Sequence, residues 1–92
     1  MTTRQVTVVN PLGLHARAAA RFVHLASRFE SHIRVARDAK VMDGKSIMGI
    51  LLLAASRGTM ITVMADGPDE AAAVAVLVEL VESGFGEASC NA

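Results

Sequence analysis

The sequence predicts an α+β fold of two layers, with helices covering one face of a short β-sheet. Segments typical of strands and helices follow one another in the order β-α-β-β-α-β-α. Only a short turn separates the second and third strands, which favours an antiparallel hairpin. The chain has 92 residues, 52% of them hydrophobic, so we expect a single domain over residues 1–92. Because only 3% of residues are aromatic, we expect a core of Val, Ile, Leu, Met and Ala.

The first strand and the first helix flank a loop rich in residues that break regular structure. Residues 4–9 favour a strand, and Asn10, Pro11 and Gly13 end it. From Ala16 the period becomes helical over about three turns, with one buried face. The face expected to be buried comprises Ala19, Phe22, Val23, Ala26 and Phe29, and the polar face comprises Arg17, Arg21, His24 and Arg28.

The remaining elements are bounded by turn residues, caps or glycines. In chain order they are strands at 32–37 and 40–43, a short helix at 47–51, a strand at 60–65 and a helix at 70–83. Ser46 is the expected N-cap of the short helix, and the turn at 66–69 is expected to cap the last helix. Gly84 and Gly86 end that helix.

Composition argues against several classes of protein. The net charge is zero, which disfavours a nucleic-acid binder, and no apolar run approaches the length needed to insert into a membrane. The single cysteine, Cys90, fits a reducing cytoplasm. Charge is nevertheless segregated, because no acidic residue precedes Glu30 and no basic residue follows Arg57. Such segregation can orient a protein towards an anionic ligand or a partner.

The strongest candidate for a chemical site is His15, at the entrance to the first helix. Backbone N–H groups at a helix N-terminus lack partners and favour anions. Acidic residues usually occupy such a position, whereas Arg17 and Arg21 lie there in this chain. A phosphoryl group on the His15 ring would lie beside the N–H groups of the first turn, with Arg17 to neutralise it. The alternative is that His15 is only a capping or surface residue without a chemical role.

The other histidines lack such surroundings. His24 and His32 fall on polar faces, so we expect both to be solvated, and no histidine has partners at metal-ligand spacing. We therefore expect no metal site, and we find no nucleotide-binding loop.

Five runs of residues along the chain form a recognisable pattern. They are Asn10-x-x-Gly-Leu-His-Ala-Arg, Phe22-Val23, Gly44-Lys45-Ser46-Ile47-Met48-Gly49, Asp69-Glu70-Ala71 and Gly84-Phe85-Gly86-Glu87. Together they resemble the HPr family of histidine phosphocarriers from the bacterial phosphoenolpyruvate:sugar phosphotransferase system. The resemblance spans nearly the whole chain. It implies an open-faced β-sandwich, in which a four-stranded antiparallel sheet of order 1-4-2-3 carries three helices on one face.

The resemblance also implies a function. Enzyme I would phosphorylate His15 on Nδ1, and the phosphohistidine would donate to enzyme IIA components for sugar uptake. Arg17 matches the arginine that stabilises the phosphate, with the N–H groups of Ala16, Arg17 and Ala18 around it. The protein would be a carrier rather than an enzyme, a cytoplasmic monomer without cofactors.

Ser46 and its neighbours are expected to serve regulation and docking. Ser46 matches the serine that HPr kinase/phosphorylase phosphorylates in many bacteria, a role compatible with an ordinary N-cap. The resemblance places partner docking on the exposed surface beside it. The residues expected there are Arg21, Lys45, Ile47, Met48 and Leu51.

One departure from the family pattern leaves alternatives open. Ala18 stands where the family usually has proline, which would fix φ in the first helical turn. We expect the carrier chemistry to survive this change. The nitrogen-related branch of the family, which signals without transporting sugar, stays an alternative. A degenerate module that binds regulators without phosphoryl transfer is another.

Overall fold

The computed structural model describes residues 1–86, which form one antiparallel sheet and three helices. The elements are β1 (Thr2–Thr7), α1 (Ala16–Ala26), β2 (His32–Arg37), β3 (Lys40–Asp43), α2 (Ile47–Leu52), β4 (Met60–Asp66), α3 (Glu70–Glu82) and a 3-10 turn (Gly84–Gly86). The strand order is β1-β4-β2-β3, and every neighbouring pair is antiparallel. The predicted fold class and strand order are confirmed. Glu87 and Cys90 lie outside the described residues.

The first strand begins and ends two residues earlier than predicted. The prediction was 4–9, but β1 runs from Thr2, opposite Ala65, to Thr7, opposite Met60. β4 begins at Met60, so the ladder ends there. Val8 then makes two further backbone hydrogen bonds, to residues 58 and 59. β2 and β3 have the predicted bounds.

The core lies between the sheet and the helices. The inward residues of the central strands, such as Val35 and Val63, are fully buried. The predicted buried stripe of α1 is confirmed except that Phe29 is half-buried, beyond the end of the helix. Most buried core residues are Val, Ile, Leu and Ala, as predicted, and Phe22 is buried on the predicted face of α1. The prediction was wrong about methionine, because none of the buried core residues within 1–86 is a methionine, and it did not include Phe85. Phe85 is brought inside by the unpredicted 3-10 turn.

The predicted cap of α3 was only half right. Asp69 occupies the N-cap position, but its carboxylate makes no capping bond. Instead it accepts hydrogen bonds from the Glu30 N–H at 2.9 Å, the Ser31 N–H at 3.0 Å and the Ser31 hydroxyl. These bonds, that of the Ser31 hydroxyl first, lower the pKa of Asp69. Through these hydrogen bonds, Asp69 links the start of α3 to the turn before β2.

The Glu70 carboxylate links the start of α3 to the turn before it and to the start of β1. Its carboxylate accepts from the Gly67 N–H at 3.2 Å and from the Thr2 hydroxyl at 2.6 Å, and it lies 3.2 Å from the Met1 amine. The Thr2 hydrogen bond is the main cause that lowers the Glu70 pKa to about 2. The described helices include none long and apolar enough to cross a membrane.

Candidate functional site

The loop before α1 is held in a fixed shape by Gly13. Its φ is +65°, a conformation that suits glycine, and an added Cβ would lie 2.5 Å from the Ala55 carbonyl oxygen. The buried Asn10 side chain donates to the Gly13 carbonyl at 2.8 Å, and the Leu14 N–H donates to the Ala55 carbonyl at 2.9 Å. The loop is therefore pinned to the segment that follows α2.

His15 is the N-cap of α1. Its backbone is extended, with φ −82° and ψ 179°, and its ring Nδ1 accepts a hydrogen bond from the Arg17 N–H at 3.3 Å. A nitrogen that accepts carries a lone pair, so this contact corresponds to the tautomer protonated on Nε2. The His15 ring is half-buried. The structure therefore places a ring lone pair at the positive end of a helix.

Arg17 lies in the first turn of α1, which contains no acidic residue. The residue is exposed, and within residues 1–86 its guanidinium makes no hydrogen bond or ion pair. Ala16 and Ala18 flank it, Ala16 exposed and Ala18 buried. The exposed residues of the polar face, Arg17, Arg21, His24 and Arg28, follow the predicted stripe. Of these residues, Arg17 is the one in the first turn, where it would meet an anion at the helix entrance.

Ser46 is the N-cap of α2, as predicted. Its Oγ accepts from the Gly49 N–H at 3.1 Å, and its backbone has φ −121°. Gly49 is buried, and a Cβ there would lie 3.2 Å from the Asp43 carbonyl oxygen, so close approach of the backbone explains this glycine. Because α2 has six residues, Ser46 and the loop pinned at Ala55 lie at opposite ends of a helix about 9 Å long.

Two of the predicted docking cations are tied to backbone carbonyls. Lys45 Nζ donates to the Phe29 carbonyl at 2.7 Å, and the Arg21 guanidinium donates to the Phe85 carbonyl. Lys45 therefore fastens the start of α2 to the end of α1. Whether these side chains also contact partners stays a prediction.

The predicted apolar docking residues differ in exposure. Ile47 and Met48 are exposed, at 43% and 65%, whereas Leu51 is half-buried and packs on the core. Leu52, at 54%, and Leu12, at 72%, are exposed residues that the sequence reasoning missed. The position of Leu12 in a loop, three residues before His15, is a signal that could have indicated it.

Side chains that could bind a metal ion do not cluster within residues 1–86. The described residues contain no group of three or more histidine, cysteine, aspartate or glutamate side chains able to hold a metal ion. His24 and His32 are both exposed, in agreement with their expected places on polar faces.

Comparisons with known proteins identify relatives of the whole described chain. A family model described as "PTS HPr component phosphorylation site" matches residues 2–83. The phosphocarrier protein HPr of Cupriavidus necator is 45% identical over 87 residues, covering 95% of this chain and 98% of that protein. The HPr-C-His structure from Thermoanaerobacter tengcongensis superposes with a TM-score of 0.91 at 47% identity, covering 95% and 98% of the two chains. An HPr dimer structure from the same organism has a TM-score of 0.76 at 47% identity and covers 95% of this chain and 100% of that one.

Proposed function

The chain belongs to the HPr family of phosphocarrier proteins of the phosphotransferase system, and we propose that His15 is the residue that carries its phosphoryl group. The observation that carries this proposal is the hydrogen bond from the Arg17 N–H to Nδ1 of His15. It sets a nucleophilic lone pair against the Arg17 N–H, and we propose that the N–H groups of Ala16 and Ala18 in the same turn help to bind the phosphoryl group. A histidine that only capped the helix would not require the exposed Arg17 beside it, whose guanidinium has no partner among residues 1–86.

The proposed step is an in-line transfer from a phosphohistidine of enzyme I. The His15 Nδ1 lone pair forms a bond to phosphorus while the bond from phosphorus to the donor nitrogen breaks, and the donor ring keeps that electron pair. The Arg17 N–H then loses its nitrogen acceptor and donates to a phosphoryl oxygen instead. The Arg17 guanidinium binds another oxygen and stabilises the charge. An acceptor histidine on an enzyme IIA component reverses the step.

Ser46 is the proposed point of regulation. Phosphorylation there by an HPr kinase/phosphorylase would add nearly two negative charges at a helix N-terminus, which the helix itself tolerates. The effect would fall on partners that dock over Ile47 and Met48, because an acidic partner would be repelled. We place the cycle in the cytoplasm, and we propose a monomer that docks through this patch with Arg21, Lys45 and Leu51.

The test measures transfer of labelled phosphate from phosphoenolpyruvate through enzyme I. The wild-type protein should take up one acid-labile, base-stable phosphate, and His15→Ala should take up none. His24→Ala is the matched control, because it removes an exposed ring from the same helix, and it should load normally. Arg17→Ala should slow loading by about a hundredfold or more, the usual loss when an oxyanion donor is removed. Labelling of His15→Ala would overturn the proposal.

The same assay separates the alternatives. Failure of the wild type to load from any competent enzyme I would favour a binding module without transfer. Faster loading from the nitrogen-related enzyme I than from the sugar enzyme I would place the chain in that branch.

A further inference from the structure

Side chains of the neighbouring hairpin bind carbonyls at the end of α2. The last turn of α2 contains no basic residue. Instead Arg37, the last residue of β2, donates from Nη1 to the Leu53 carbonyl at 2.9 Å and to the Ala54 carbonyl at 2.8 Å. Lys40 Nζ donates to the Leu52 carbonyl at 3.3 Å. Carbonyls at a helix C-terminus favour such cations.

Ala54 closes the helix in a conformation that alanine disfavours. Its φ is +51°, in the left-handed region, at the position after the C-cap where glycine is usual. Its N–H donates to the Leu51 carbonyl at 3.0 Å. The two carbonyls that Arg37 binds belong to the peptide units on either side of the Ala54 Cα. Arg37 therefore fixes both peptide planes that define the φ and ψ of Ala54.

This turn connects directly to the loop that carries His15. The residue after Ala54 is Ala55, whose carbonyl accepts from the Leu14 N–H at 2.9 Å and limits the approach of Gly13. A change in the φ or ψ of Ala54 would rotate the Ala55 carbonyl and release Leu14. His15 is the next residue in the chain.

We propose that Arg37 is a positioning residue for phosphoryl transfer. It holds the left-handed turn at Ala54, and this turn aims the Ala55 carbonyl that anchors the His15 loop. The effect on transfer rests on the proposed function, whereas the anchoring of Leu14 does not. The Arg37 side chain is 32% exposed, and its contact with Asp38, at 3.9 Å, is long. The two carbonyl bonds are thus its main interactions within the described residues.

The experiment compares Arg37→Met with the double variant Arg37→Met/Ala54→Gly. In Arg37→Met, we expect loading of His15 to slow by about fivefold, because a displaced nucleophile loses favourable alignment. The Leu14 amide should exchange with solvent about tenfold faster. Glycine holds the left-handed conformation without Arg37, so Ala54→Gly should restore both quantities to within about twofold of the wild type. Lys40→Met is the matched control and should leave both unchanged.

If Arg37→Met folds poorly, Arg37→Lys replaces it in the same two measurements. An ammonium is a point donor and replaces the arginine fork only in part, so an intermediate effect is expected. Wild-type loading rates and Leu14 exchange in a folded Arg37→Met variant would overturn the proposal. So would a defect that Ala54→Gly leaves unrepaired, because Arg37 would then act elsewhere. If the wild type never loads phosphate, the proposed function fails, and Leu14 exchange still decides whether Arg37 anchors the loop.

Discussion

The substitution Gly13→Ala tests whether the shape of the active-site loop depends on contact with the backbone after α2. A Cβ on Gly13 would lie 2.5 Å from the Ala55 carbonyl oxygen and 2.8 Å from the Ser56 Cα. Both are backbone atoms, so neither can move aside as a side-chain end could. Gly58 provides a matched control, because its φ is +90° and a Cβ there would meet nothing within 4 Å.

The expected free energies follow from these two environments. A Cβ at positive φ destabilises by about 1–2 kcal/mol at either glycine. At Gly13, forcing the contact adds about 1–3 kcal/mol of overpacking, and losing the bond between Leu14 and Ala55 adds about 1 kcal/mol. The unfolding free energy should therefore fall by about 4 kcal/mol for Gly13→Ala and by about 1–2 kcal/mol for Gly58→Ala.

Urea unfolding followed by circular dichroism measures both variants, and phosphate loading through enzyme I measures the site. Gly13→Ala should also load slowly below its unfolding transition, because the His15 ring no longer faces the first turn of α1. Gly58→Ala should load at the wild-type rate. Equal destabilisation of the two variants would refute the reasoning, since φ alone would then account for both.

Three further substitutions test the Ser46 cap, the Glu70 carboxylate and the first turn of α1. Ser46→Ala should lose about 1 kcal/mol in urea unfolding because the 3.1 Å capping bond disappears, whereas Ser46→Thr should keep most of it. The Thr2 hydroxyl and the other partners of Glu70 lower its pKa from 4.5 to about 2. The ionised carboxylate therefore contributes stability that is fully present above pH 4.5 and is lost as the pH falls through 2. In Glu70→Gln, the urea midpoint should change less with pH over this window than it does in the wild type. The same dependence on pH in both proteins would contradict the assignment. Ala18→Pro should fold, because N–H groups of the first turn lack intrahelical partners, and should change the loading rate by less than about a hundredfold.

Local sequence signals were sufficient wherever a residue acts through its chain neighbours. The caps by His15 and Ser46 each bind an N–H within the next three residues, so spacing alone could indicate them. The alternation that gave β2 is likewise local. The buried stripe of α1 follows from the helical period, and the family pattern added the order of the strands.

The features that the sequence did not predict depend on contacts between residues far apart in the chain. Asp69 had the right place for a cap, but the N–H groups of residues 30 and 31 lie close enough to take its carboxylate. Leu51 and Leu52 are equally apolar neighbours, and only the packing of α2 decides which of them faces solvent.

The sequence by itself determined the elements, the histidine at a helix entrance and the serine that caps α2, because these depend on periodicity and on bonds within one turn. The tertiary structure decided where β1 pairs and that Asp69 binds the N–H groups of residues 30 and 31. It also decided that Phe85 enters the core and that Arg37 reaches the turn at Ala54. Each of these outcomes depends on groups that are far apart along the chain and meet only after the sheet and helices have packed. Their partners therefore cannot be identified from spacing alone.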